Sequence, residues 1–268
     1  MSRIAVITGA SSGIGKATAL HLAHLGYVIG VGYRANVEAA KQVVEDVRAA
    51  GSDAVAFQAD LAEPAAAAAA VDGVVAELGG VDAFVNNAGV NRRGDFLDET
   101  IEDWQRVLAV DLTGPFACAQ VAARRMVAQG RGGRIVNVGS VHEMIPINGG
   151  SAYCAAKGGL GMLTKVMALE LAGYGITVNA VSPGETATPM NNVPDDLDAA
   201  DIARPKIPVG RPGRAREVAA LVAHLLEPDA AYITGVSIPI DGGLMLMSAL
   251  PNQEYANRLN SPDEARRP

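Results

Sequence analysis

The chain has 268 residues, 49% hydrophobic and 19% charged, which is enough apolar material for one core or at most two small ones and too much for a disordered chain. A formal net charge of −7 offers no electrostatic footprint for nucleic acid, and the apolar runs break well short of the ~20 residues needed to span a membrane. Residues 1–10 lack the basic start and apolar stretch of a signal peptide, and Cys118 and Cys154 form neither a disulfide framework nor a CxxC metal pair, so a cytoplasmic location is expected.

Short β-branched runs alternate with longer helical patterns, the signature of βαβ units around a parallel sheet. In chain order, seven strands are predicted at 3–8 (RIAVIT), 27–33 (YVIGVGY), 54–59 (AVAFQA), 82–86 (DAFVN), 133–139 (GRIVNVG), 176–181 (ITVNAV) and 235–240 (GVSIPI). Helical patterns fill 13–25, 37–50, 64–78, 101–129, 151–173 and 214–226. The all-alanine run 65–70 reads as helix, because Pro64 can open a first turn and alanine propagates it. No spacer rich in Pro, Gly or Ser divides the chain. The expectation is a single doubly wound α/β domain over 1–249, with a seven-stranded parallel sheet flanked by helices, followed by a loosely held tail at 250–268.

The turn Thr8-Gly9-Ala10-Ser11-Ser12-Gly13-Ile14-Gly15 ends the first strand and opens the first helix, where free backbone N–H groups and the helix dipole attract a phosphate. Glycine permits the tight turn and the close approach of a pyrophosphate, as in a Rossmann-type dinucleotide site. The spacing G-x-x-x-G-x-G is neither the usual G-x-G-x-x-G nor a P-loop. Further along come Asn86-Asn87-Ala88-Gly89 after the fourth strand, Ser140 after the fifth, Tyr153-Cys154-Ala155-Ala156-Lys157 beyond it, and Pro183-Gly184 after the sixth. With these motifs in this order, residues 3–247 resemble the short-chain dehydrogenase/reductase family. Ser140-Val141-His142-Glu143-Met144-Ile145-Pro146, with Gly32-Tyr33-Arg34 upstream, looks most like its bacterial glucose 1-dehydrogenases and related sugar or polyol dehydrogenases.

Tyr153 and Lys157 are four apart in a helical stretch, so they share a face. A tyrosine hydroxyl, with a reference pKa of ~10, needs a nearby cation to act as a base near neutrality. The resemblance implies that Tyr153 exchanges a proton with the substrate oxygen, that Lys157 assists it and hydrogen-bonds the nicotinamide ribose, and that Ser140 holds and polarises the substrate oxygen. One position departs from the family: Asp111, in Val107-Leu108-Ala109-Val110-Asp111-Leu112-Thr113-Gly114, stands where an asparagine usually supports a water relay. We expect the carboxylate to serve in its place and to interact with Lys157.

For the cofactor, Tyr33-Arg34 ends the second strand where an acidic residue would mark NAD, and Arg34 suits a 2′-phosphate. The expectation is NADP(H), with NAD as the alternative. Its binding set is read as Gly9, Ser11, Ser12, Gly13, Ile14, Gly15, Tyr33, Arg34, Asp60, Leu61, Asn87, Ala88, Gly89, Val110, Tyr153, Lys157, Pro183, Gly184, Thr186 and Thr188. Residues 186–210 read as a substrate lid. The substrate pocket is expected to use Ser140, Tyr153, His142, Glu143, Asn148, Glu185 and Met190, together with Asn91 and Arg92. That set is rich in hydrogen-bonding groups, as a sugar or polyol requires.

The leading reading is therefore an NADP(H)-dependent enzyme interconverting a secondary alcohol and a ketone (or a lactol and a lactone) on a small polar substrate such as a sugar or polyol. The rivals are a 3-oxoacyl thioester reductase, with Arg124, Arg125, Arg131 and Arg134 as a docking surface for an acidic carrier, and a non-catalytic redox sensor. No metal site is expected, since His21-x-x-His24 is the only close histidine pair and reads as helix surface. Family members are commonly tetramers, and Gly158, Gly159 and Gly161 in one helix suggest close helix packing between subunits, so a homotetramer is expected. Neither nucleic acid nor membrane is expected as a partner.

Overall fold

The computed structural model describes residues 2–194 and 197–248. The predicted tail and the 249 boundary lie outside the described residues. Nine strands and seven α-helices run as β1 (Ile4–Ile7), α1 (Gly13–His24), β2 (Val28–Tyr33), α2 (Val37–Ala49), β3 (Ala54–Gln58), α3 (Pro64–Leu78), β4 (Ala83–Asn86), α4 (Ile101–Leu108), α5 (Gly114–Gln129), β5 (Gly133–Val138), α6 (Ser151–Leu171), β6 (Ile176–Pro183), β7 (Thr186–Ala187), β8 (Gly213–Arg214), α7 (Ala215–Leu226) and β9 (Ser237–Ile240) among the described residues. Seven strands form one parallel sheet in the order β3-β2-β1-β4-β5-β6-β9.

Alternation along β1 shows how the two faces fill. Ala5 and Ile7 join a core with Leu22, Ile29, Val43, Val222 and Leu225 from α1, β2, α2 and α7, while Val6 joins Val71, Phe84, Ala119, Met126 and Ile135 on the opposite face. The low aromatic content fits this arrangement: alanines on α3 and α5, such as Ala67, Ala119 and Ala122, let helices lie close to the sheet, and Tyr27 and Phe84 are the aromatics fully buried among the described residues. The alanine run of α3 is helical from its N1 proline, with Ala67, Val71, Val74 and Val75 on the buried side.

Two features differ from the sequence expectation. The predicted helix 101–129 is broken by one π-helical turn, Ala109–Thr113, which carries Asp111 inward. The predicted lid 186–210 begins with a strand, as β7 pairs in parallel with β8 and ties its base to the start of α7. Sheet order reverses between β1 and β4, so the carboxyl ends of these strands open the crevice where doubly wound folds bind ligands.

Candidate active site

The turn after β1 is packed from below. Thr8 Oγ1 accepts hydrogen bonds from the backbone N–H groups of Asn87 (3.0 Å) and Ala88 (3.1 Å), and Asn87 Nδ2 donates to the carbonyls of Thr8 and Gly9 at 3.0 and 2.9 Å. A Cβ on Gly9, whose φ is +64°, would lie 2.8 Å from Ala88 Cα, and one on Gly15 would lie 2.3 Å from the Gly9 carbonyl oxygen. Ser12 caps α1 without a side-chain hydrogen bond, and the first turn holds no acidic residue. The helix N–H groups therefore remain available to an anion.

A cavity of about 750 Å³ runs from this turn across the sheet end. Gly9, Ser11, Ser12, Gly13, Ile14, Arg34, Asp60, Leu61, Asn87, Ala88, Gly89, Val110, Pro183, Gly184, Thr186 and Thr188 are among its lining residues. Such a trough, with amide donors in the middle and Arg34 and Asp60 at one end, fits an extended dinucleotide. Two expected members of the set lie elsewhere. Gly15 is beneath the turn, where only a hydrogen fits against Gly9, and Tyr33, the last residue of β2, packs against the core.

At the other end stand Ser140, Tyr153 and Lys157. Ser140 leaves β5 and caps a single 3₁₀ turn, Val141–Glu143, its Oγ accepting from the His142 N–H at 3.2 Å. The hydroxyl proton is thus left to donate elsewhere. Tyr153 and Lys157 lie one turn apart on α6 and both are buried. Lys157 Nζ donates to the Val138 carbonyl at 3.2 Å and sits 5.6 Å from the centre of the Tyr153 ring. His142 meets the same ring edge-on at 6.2 Å, and its Nδ1 lies 3.1 Å from the Ile145 carbonyl, which assigns the ring proton to Nδ1. Burial lowers the histidine pKa, a shift opposed by the Ile145 bond and reinforced by Arg93, so the imidazole is neutral near pH ~7.

The model of the family described as enoyl-(acyl carrier protein) reductase matches residues 9–245. The chain belongs to the short-chain dehydrogenase/reductase family. Among its relatives, an Escherichia coli K12 protein described as the uncharacterized oxidoreductase YohF is 46% identical over 95% of this chain and 100% of its own length. A 3-oxoacyl-[acyl-carrier-protein] reductase of Synechocystis is 41% identical over 91% and 98%. The crystal structure of acetoin dehydrogenase from Enterobacter cloacae superposes with a TM-score of 0.88 at 46% identity, covering 93% of this chain and 98% of that one. This family member is thus an oxidoreductase of the alcohol dehydrogenase class, and its family binds nicotinamide dinucleotides.

The substrate end of this dehydrogenase/reductase corrects several expectations. Glu143 does not line the cavity, because its carboxylate turns inward to Ser237. Asn148 is exposed outside the lining, and Arg92 is drawn away by an ion pair with Asp103, leaving Arg93 at the cavity. His142, Glu185 and Met190 do line it, with Asn91, though Glu185 is neutralised by Arg204 at 2.5 Å. The residues missed by sequence reasoning are mostly apolar: Ile145, Pro146, Ile147, Pro189 and Leu244. Their hydrophobicity is the signal that could have placed them at the site. The glycines of α6 also find partners within the chain. A Cβ on Gly159 would lie 3.0 Å from Leu112 Cδ2, and one on Gly161 would lie 3.0 Å from Glu143 Oε2, whereas Gly158 faces nothing closer than 3.9 Å. Among the described residues no group of three or more His, Cys, Asp or Glu is arranged to hold a metal ion, and no helix is long and apolar enough to cross a membrane.

Asp111 lies behind the cavity wall, 0% exposed. Its Oδ1 accepts from the Val90 N–H at 2.8 Å, and its Oδ2 has no hydrogen-bond partner among the described residues but stands 4.0 Å from Lys157 Nζ. A Cβ on Gly89 would crowd Asp111 Oδ1 at 3.2 Å and touch Lys157 Nζ at 3.5 Å. Burial raises the carboxyl pKa, and the Lys157 charge and the Val90 bond pull it back. The folded state therefore holds this proton more tightly than the unfolded chain, whose ordinary value is 3.8, and stability contributed by Asp111 declines as pH rises from there through the raised folded value. Asp111→Asn retains the oxygen that Val90 requires. It is expected to keep turnover within about tenfold and to flatten that part of the stability profile; denaturation midpoints across pH check the second point, and a ~10³-fold loss of kcat would contradict the first.

Proposed function

We propose that the protein is an NADP(H)-dependent oxidoreductase that interconverts a small ketone and its secondary alcohol, with a second oxygen on the adjacent carbon, as in α-hydroxyketones and vicinal diketones. The observation that carries this reading is the character of the substrate end. Around Ser140 and Tyr153 stand Val141, Ile145, Pro146, Ile147, Met190 and Leu244; among the polar residues of the lining, Glu185 pairs with Arg204, Asn191 donates to the Thr186 carbonyl, Arg93 is exposed, and two are half-buried with a free acceptor. Asn91 is one, its Oδ1 buried without a hydrogen-bond partner among the described residues. His142 is another, with Nε2 left as an acceptor. Two such groups suit one oxygen beside the reacting one. A sugar would bring more hydroxyls than these two acceptors satisfy, at about 1–3 kcal/mol for each one buried unpaired. The acetoin dehydrogenases of Enterobacter cloacae and Salmonella typhimurium, 46% and 44% identical, support the same class.

When bound, the dinucleotide would supply or accept the hydride. The chain's own part is proton transfer and orientation: Ser140 donates to the substrate oxygen, Tyr153 takes the hydroxyl proton in oxidation and returns it in reduction, and Lys157 stabilises the phenolate electrostatically. The carrier-protein reading is less favoured, because Arg125 and Arg131 are engaged by Asp72 and Asp82. Turnover of acetoin, diacetyl, glucose and an acetoacetyl thioester, followed by nicotinamide absorbance, tests the substrate; a preference for glucose or for the thioester would overturn it.

NADP(H) is favoured because Arg34 lines the adenosine arm, has no ion-pair or side-chain hydrogen-bond partner among the described residues, and has no acidic neighbour at the end of β2. A charge-assisted bond to a 2′-phosphate contributes about 1.5–3 kcal/mol, or about 10- to 100-fold. Arg34→Ala is expected to lower kcat/KM for NADP⁺ by that factor and leave NAD⁺ nearly unchanged; equal effects on both would remove the basis for this preference.

We also read the protein as a cytoplasmic homotetramer. Exposed Met162, Val166 and Leu169 follow one face of α6, and Phe116 is exposed on α5, an apolar surface that a second copy would cover.

A further inference from the structure

Glu143 follows Ser140 by three residues, yet its carboxylate enters the protein rather than the cavity. Oε1 accepts a hydrogen bond from Ser237 Oγ on β9, and Ser237 Oγ is 2.7 Å from Ser182 Oγ on β6. Since each hydroxyl has one proton, Ser182 donates to Ser237 and Ser237 to Glu143. Oε2 is buried and has no hydrogen-bond partner among the described residues. It occupies a slot made by two glycines: a Cβ on Gly139 or on Gly161 would lie 3.0 Å from it.

The location of those glycines matters. Gly139 directly precedes Ser140, and Gly161 continues the stripe of Tyr153 and Lys157 at a spacing of four along α6. One carboxylate thus meets the segment that carries Ser140, the helix that carries Tyr153 and Lys157, and the edge strand β9, with β6 reached through Ser237. The other hydrogen bonds of residues 141–148 stay within 140–150: Glu143 N–H to Ser140, Met144 and Ile145 to Val141, His142 to Ser140 and Ile145, and Gly150 to Ile147. Among the described residues, the Glu143–Ser237 bond is the one that ties residues 141–148 to the sheet.

We propose that Glu143 is a positioning residue that sets the Ser140 hydroxyl against Tyr153 by keying the segment after β5 into the Gly139–Gly161 slot and onto Ser237. Its carboxylate touches neither substrate nor cofactor. A segment released from this anchor shifts Ser140, and a misplacement of about 1 Å costs about 10²-fold in rate.

The proposal rests on the reading of Ser140 as the group that holds the substrate oxygen, and a double-mutant cycle separates the two. Glu143→Ala is expected to lower kcat by about 10- to 100-fold, with the dissociation constant for NADPH, read by its fluorescence, unchanged. Glu143→Gln keeps the shape and the Oε1 acceptor and is expected to return most of the rate. In a Ser140→Ala background the Glu143→Ala loss is expected to shrink to less than about twofold, since there is no hydroxyl left to position. Ser237→Ala removes the donor with little change of volume and is expected to show the same coupling at smaller amplitude, which keeps the test open if Glu143→Ala fails to fold. An equal loss in both backgrounds, a parallel loss of NADPH binding, or an unchanged kcat in both single variants overturns the positioning role. An unchanged kcat in Ser140→Ala instead overturns the reading of Ser140 itself.

Discussion

Tyr153→Phe is expected to lower kcat by about 10²- to 10⁴-fold, the range associated with loss of a positioned general acid or base, while NADPH binding and thermal stability hold. The stability half follows from the surroundings of the hydroxyl. Tyr153 makes no hydrogen bond to another described group, and its oxygen is not among the buried orphaned atoms, so removing it strands no partner. The ring stays packed with Val107, Ala152 and Ala156 and against the His142 edge. A phenylalanine fills the same space, and only the proton is lost. Rate and nucleotide affinity measured on the same preparation check this, and an unchanged rate would place proton transfer on another group.

Much of the frame was legible because it depends on local pattern. The seven sheet strands follow from β-branched runs, and the phosphate turn from a glycine cluster joining a strand to a helix. What escaped depends on contacts distant in the chain. The π turn at Ala109–Thr113 keeps the hydropathy of an ordinary helix, and its irregularity is visible only in the backbone that carries Asp111 in toward Val90 and Lys157. Glu143 reads as a substrate-pocket group, and its inward turn depends on Ser237, which is 94 residues away. Gly161 reads as a place for another helix, yet its missing side chain makes room for that same carboxylate. The substrate lining was misjudged for a related reason: Ile145, Pro146 and Ile147 also line the site, so a set read as polar gains an apolar side.

Lys157→Met should combine a large loss of activity with a pH-dependent loss of stability, and the two effects should come apart. Removing the ammonium takes away the cation beside the Tyr153 ring, and with it the electrostatic support for a phenolate, so kcat is expected to fall by about 10²-fold or more. It also leaves Asp111 alone in a fully buried position, with only the Val90 N–H for company. Breaking one side of a buried pair typically costs about 3–5 kcal/mol. Asp111 has an escape, because burial already raises its pKa and the loss of Lys157 removes an opposing influence, so the carboxyl can take up a proton instead. That proton is held by the folded state above the unfolded value of 3.8, so the variant should be near wild-type stability in acid and become weaker as pH rises. A series of denaturation midpoints from about pH 4 upward measures the difference. Adding Asp111→Asn should abolish it, since a neutral amide cannot be stranded as a charge, while leaving the rate as low as in the single variant. If the midpoints of Lys157→Met show no pH dependence, Asp111 is not the counter-ion of Lys157, and the 4.0 Å approach between them is proximity without coupling.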